Sequence, residues 1–196
     1  MKKNIKNLLL VLLLSCFVCA CASSKAAKDE SSADTNKAAS VSARSNSSSS
    51  FEPFYVYDDF MSQKNHFAPS GWMGDFGDLK LNQACTETPR SGNNCIKITY
   101  SAKMTQGAGW TGIFWQQPAN NWGEKKGGYD LTGAKKLTFW ARGANGGEKI
   151  AEFKMGGITG EYPDSDSAAV GPIELTKEWQ KYSIDLAGKD LSHVIG

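Results

Sequence analysis

The chain has 196 residues, with Lys+Arg 22 against Asp+Glu 20 and a formal net charge of +2. That balance excludes a nucleic-acid binder, whose phosphate-tracking surface needs a clear basic excess. Six Trp, nine Phe, six Tyr and twenty Gly favour many short strands joined by tight turns, with aromatic surface left over for recognition.

Lys2, Lys3 and Lys6 precede an uncharged apolar run from Leu8 to Ala20, the basic and apolar regions of a secretory signal. At about 13 residues the run is too short to span a bilayer. Cys16, Cys19 and Cys21 lie at its end, an arrangement that resembles the bacterial lipobox for diacylglycerol attachment. Cys21 fits best, with Val18 three positions earlier, the small Ala20 before it, and Ala22, Ser23 and Ser24 after it. Cys16 is the alternative, but bulky Phe17 follows it. The expected organisation is therefore a signal peptide over 1–20, a lipid-anchored linker over 21–50 and one domain over 51–196. Its destination would be the outer membrane or cell surface, reached through the N-terminal anchor.

From Ala22 to Ser50 the sequence is mostly Ser, Ala, Lys, Asp and Asn, with Glu30, Thr35, Arg44, one Val and no aromatic. Such a segment buries too little apolar area to offset the entropy of ordering. With about 29 residues at roughly 5–6 Å times the square root of their number, its r.m.s. reach as a tether is on the order of 30 Å.

From Phe51 onward Gly, Asn, Asp and Pro break the chain into short pieces without a sustained helical period. Strands are predicted at Phe54 to Phe60, Leu79 to Gln83, Cys95 to Tyr100, Gly109 to Gln117, Lys136 to Arg142, Ile150 to Met155 and Gln180 to Leu186. This pattern means an all-β sandwich. In Lys136 to Arg142, alternation sends Leu137, Phe139 and Ala141 one way and Thr138, Trp140 and Arg142 the other. Cys85 and Cys95 flank a turn-rich loop, Thr86 to Asn94, and are expected to form a structural disulfide in an oxidising compartment. The sequence stops at His193-Val194-Ile195-Gly196 as an apolar pair begins, so the domain is expected to lack its closing strands.

The stretch from Tyr57 to Gly196 resembles the galactose-binding-like jelly rolls found as carbohydrate-binding modules in bacterial secreted and surface proteins. Three motifs carry the resemblance: Tyr57-Asp58-Asp59-Phe60; Tyr129-Asp130-Leu131-Thr132-Gly133-Ala134 leading into Leu137 to Gly143; and Trp179 to Leu186. It implies a fold more firmly than a ligand. It also implies a structural calcium held by an acidic residue soon after the opening Asp-Phe pair and by another in the last strand. Here Met61 follows Phe60 and that strand is missing, so no cofactor is expected. Asp58, Asp59, Asp75 and Asp78 are read as turn carboxylates, though they are the oxygens a calcium would use.

A sugar-binding face needs flat aromatic rings for pyranose faces and planar polar groups for hydroxyls. Trp110, Trp115 and Trp122 interleaved with Gln116, Gln117, Asn120 and Asn121 offer both, with Trp140 and Arg142 on a strand expected to lie beside them. Enzymatic machinery is sparse. His66 and His193 are the two histidines, and Asp164 and Asp166 the best carboxylate pair, in a Pro-led turn. The expected function is non-catalytic glycan or polysaccharide binding, with a structural or adhesive lipoprotein, or a glycoside hydrolase accessory fragment, as the alternatives.

Overall fold

The computed structural model describes residues 8–13 and 53–196; Cys21 and the other residues of the expected signal peptide and linker lie outside the described residues. The fold is all-β. Among the described residues there is one short 3-10 turn, Phe76–Asp78, and no α-helix. The strands are β1 Leu8–Leu13, β2 Ala68–Gly74, β3 Leu79–Cys85, β4 Cys95–Tyr100, β5 Thr111–Gln116, β6 Lys136–Arg142, β7 Lys149–Ile150, β8 Phe153–Gly156, β9 Ser167–Val170, β10 Ile173–Glu174 and β11 Gln180–Asp185. One sheet runs β11-β6-β1-β4-β3, and the pairs β2-β5, β8-β9 and β7-β10 make the other strand ladders, all antiparallel.

The alternation expected of β6 is present: Phe139 and Ala141 are fully buried while Trp140 and Arg142 are not. Phe139 stacks on Phe153 of β8 with ring centroids 3.8 Å apart and on Tyr182 of β11 at 5.4 Å. Phe153 touches all three groups of buried side chains: the one around Ile96 and Ile98, the one around Phe139, and the one around Ile184 and Leu191. Burial of these aliphatic and aromatic faces between layers is what holds a sandwich together. Val194 and Ile195 are buried too, and Val194 forms an isolated bridge with Tyr129.

Several strand expectations need correction. Phe54 to Phe60 is not a strand, because short side chains capture the backbone in a turn. Asn65 Oδ1 accepts from the Asp58 N–H at 2.8 Å, Asn65 Nδ2 donates to the Asp59 carbonyl at 2.9 Å, and the Asp59 carboxylate accepts from the Phe60 N–H at 2.7 Å. Such local bonds compete with a ladder. Ile150 to Met155 is two strands, β7 and β8, each with a different partner. Strands β1, β2, β9 and β10 have no counterpart among the predicted strands.

Strand β1 lies between β4 and β6, pairing Leu10↔Ile98 on one side and Leu12↔Ala141 on the other. Both neighbours depend on it for backbone partners along that edge. Deleting residues 1–20 should therefore raise amide hydrogen exchange in Ile96 to Tyr100 and Leu137 to Arg142 relative to the full chain. Unchanged protection in both strands would mean that β4 and β6 do not depend on this segment.

Candidate functional site

The β2-β5 ladder carries the open aromatic surface. Its register pairs Gly71↔Phe114 and Met73↔Gly112, with a bulge between Pro69 and Gly71, so these four residues share a face. The two glycines leave room for large rings. A Cβ on Gly71 would stand 2.8 Å from Cζ2 of Trp122 and 2.8 Å from Cβ of Phe114, and one on Gly112 would meet Met73 Cε at 2.9 Å and Trp110 Cζ3 at 3.4 Å. Phe114 and Trp122 are 5.8 Å apart, tilted at 58°. The result is a continuous strip of Trp122, Phe114, Met73 and Trp110, with Trp110 53% and Trp122 39% exposed.

The loops that present the two tryptophans are tied down by buried polar groups. Asp75 is fully buried, and its carboxylate accepts from the N–H groups of Gln106 at 2.9 Å, Ala108 at 3.0 Å and Gly109 at 2.6 Å. Its own N–H donates to the Trp110 carbonyl at 2.7 Å. Burial alone would push the Asp75 carboxyl up, but these N–H donors outweigh it and hold the group below the usual carboxylate range. The Trp110 loop is thus closed on a charged carboxylate.

The Trp122 loop is held by amides. Gln116 Nε2 donates to the Asn121 carbonyl at 2.7 Å, and Gln116 Oε1 accepts from the Ser70 hydroxyl at 2.9 Å. Asn121 Oδ1 accepts from Gly123 and Lys125 N–H groups, and Asn121 Nδ2 donates to the Lys125 carbonyl at 2.8 Å. Gln117 Oε1 accepts from the Gly128 N–H at 2.7 Å. Gln116 and Asn121 are fully buried, so these amides, expected to meet ligand, instead fix the loop that carries Trp122. Asn120 is exposed and holds the loop through its N–H, which donates to the Ser70 hydroxyl at 2.9 Å.

Two further expectations are corrected. Trp115 points away from the strip and packs with Ile113 against the group around Ile96 and Ile98. Strand β6 does not neighbour β5: it lies in the five-stranded sheet, between β1 and β11. Trp140 and Arg142 consequently belong to a separate cluster beneath the 86–94 loop. The Arg90 guanidinium sits 3.9 Å from the Trp140 ring, Arg142 lies 5.7 Å from the Trp179 ring and donates to the Thr88 hydroxyl, and Trp179 Nε1 donates to the Thr88 carbonyl at 3.2 Å. Sequence proximity had suggested one face; the topology separates it into two.

Cys85 and Cys95 are buried free thiols facing each other as direct cross-strand partners of β3 and β4. The expected disulfide is not formed in this structure, although directly paired residues on neighbouring strands are within bridging range. Burial, followed by the adjacent Cys85, pushes the Cys95 thiol up to about 12, which leaves it inert as a thiolate nucleophile.

The residues considered for catalysis are occupied structurally. Asp164 accepts from the Ile158 and Ile195 N–H groups, and its carboxyl is pushed up by burial despite them. Asp166 accepts from the Ser167 N–H at 2.7 Å and pairs with Lys189 at 3.1 Å. His66 stacks on Phe54 at 4.0 Å, and the His193 ring nitrogens face the carbonyls of Pro163 and Gly127. Among the described residues no group of three or more His, Cys, Asp or Glu side chains is placed to hold a metal.

No protein-family model, curated protein or solved structure matches the chain.

The close approach at Gly71 gives a test that keeps both strip tryptophans in place chemically. Gly71→Ala should displace the Trp122 ring, visible as a change in its NMR indole resonance. The strip geometry described above is wrong if that resonance stays where it is in the parent.

Proposed function

We propose that this protein is an exported, lipid-anchored glycan-binding module that performs no turnover. The observation that carries the reading is the strip Trp122, Phe114, Met73 and Trp110, whose two tryptophans stay open although a sandwich core could have absorbed them. Rings of this kind accept the apolar faces of pyranose rings, and anchored loops keep the ordering cost of binding low. The structural engagement of Asp164, Asp166, His66 and His193 supports binding without catalysis. In this reading Cys21 bears the lipid and residues 21–50 hold the domain away from the membrane, at the outer membrane or cell surface. Export to an oxidising compartment would also close Cys85 to Cys95, contributing about 2–3 kcal/mol in the chain-entropy account.

One observation favours the adhesive reading instead. Phe76 is 50% and Met104 56% exposed, on segments joined by the Gln106 Oε1 acceptor for the Gly77 N–H at 3.0 Å, and exposed apolar side chains of this size also suit a protein partner.

Trp110→Ala and Trp122→Ala should each weaken glycan binding by about 1–3 kcal/mol while leaving the thermal midpoint near the parent value, as exposed anchors do. Trp115→Ala should behave oppositely and cost about 3–5 kcal/mol of stability, because its ring is core. A glycan array on the full chain, read with thermal unfolding of each variant, decides it. Absence of binding across polysaccharides of every class, with the fold intact, would pass the strip to the adhesive reading.

A further inference from the structure

The place that β1 occupies between β4 and β6 has a defined chemistry along its length. Strand β1 runs antiparallel to both banks, with β4 beside positions 8 to 12 and β6 beside positions 11 to 13. Positions 10 and 12 stand opposite Ile98 and Ile96, and position 12 also stands opposite Ala141. Ile96, Ile98 and Ala141 are buried, so this row faces the core, as directly opposed residues of a ladder share a face. Position 11 instead stands between Lys97 and Arg142, with position 9 opposite Thr99 and position 13 opposite Trp140. That row lies on the other face and carries two cations.

Leu8–Leu13 matches this pattern on one row only. Its sequence, LLLVLL, is apolar throughout, so it offers neither cation the opposite charge that stabilises a cross-strand pair. Among the described residues the one ion pair that either cation makes is Lys97 with Glu87 at 2.5 Å. Nor is a replacement at hand in the segments that follow. The 22–50 linker has one Val and no aromatic, and every strand between residues 54 and 196 already has a ladder partner. Processing before Cys21 would therefore open a place in the sheet that no strand of the domain is free to close.

We propose that this slot is a strand-acceptor site, which in the processed protein takes a strand of the length of β1 from a separate polypeptide, antiparallel to both banks, apolar at positions 10 and 12 and acidic at position 11. The proposal rests on the export and processing part of the reading above and not on its glycan specificity. Backbone N–H and C=O groups on the two banks supply the affinity, and the alternation of apolar floor and cationic outer row selects the strand.

The test uses the full chain carrying a protease recognition sequence in the 22–50 linker. Cleavage after purification leaves the N-terminal piece held by β1 alone, and labelled peptides then compete for its place. Leu-Thr-Leu-Glu-Leu-Thr, with flanking Ser for solubility, should displace the piece while amide protection of Ile96 to Tyr100 and Leu137 to Arg142 is kept. The same six residues with the leucines contiguous, and the peptide with Lys in place of Glu, should each bind at least about tenfold more weakly, and the preference for Glu should shrink as salt is raised. Equal binding of the three peptides, or loss of the piece with no peptide bound, overturns the acceptor site. So does a cleaved chain that dimerises in place of taking peptide, which would give the slot to a second copy. The N-terminus of protein recovered from the membrane separates the two readings. A chain still starting at Met1 removes both the processing and the acceptor site, whereas failed peptide exchange in a chain that starts at Cys21 removes the acceptor site alone.

Discussion

The sheet depends on what lies between β4 and β6. These strands bond to β1 and not to each other, and with neighbouring strands about 4.8 Å apart the slot is roughly 9.6 Å wide. Ile96 and Ile98 on one bank and Phe139 and Ala141 on the other are buried, so the slot runs through the middle of the core layer. An unfilled slot would leave two rows of backbone N–H and C=O groups without partners and open the apolar interior beneath them.

That constraint bears directly on the proposed anchoring. Processing before Cys21 removes Leu8–Leu13, the residues that fill the slot. A lipidated form with an intact sheet therefore requires another strand of similar length and apolar inner face in the same position, antiparallel to β4 and β6. The aromatic strip is less exposed to this exchange than the sheet is. Strand β5 pairs with β2 alone, and the strip's loops are fixed by Asp75, Gln116 and Asn121 through bonds that involve neither β4 nor β6.

What the sequence made legible follows from where side chains decide structure. Strands β4, β6 and β11 were readable nearly to the residue because β-branched and aromatic side chains alternate along them and one face is core. Strand β2, Ala68-Pro69-Ser70-Gly71-Trp72-Met73-Gly74, has the composition of a turn. It is a strand because it pairs on one side only, where Pro and a bulge are tolerated, and because Gly71 admits the Trp122 ring. Conversely Phe54 to Phe60 has strand composition, and the Asp58, Asp59 and Asn65 side chains bend it. Leu8–Leu13 was read as the apolar part of a leader, and nothing in its composition indicates a place between two strands some ninety and more residues away.

At the site, residue types were legible but their orientation was not. An aromatic segment interleaved with amides announces both ring platforms and hydrogen-bonding groups, yet composition does not say whether an amide faces ligand or backbone. Here the long loops decide it. A loop crossing a small sandwich has backbone N–H groups that no ladder satisfies, and each must find an acceptor. Gln117 and Asn121 supply acceptors around Trp122, and Asp75 and Asp78 do so around Trp110. Once those atoms are engaged, the groups left to meet a ligand are the ones the loops do not need, the exposed indole faces. The division between scaffold and recognition is thus set by backbone hydrogen-bond demand, which is a property of the fold and not of any one residue's chemistry.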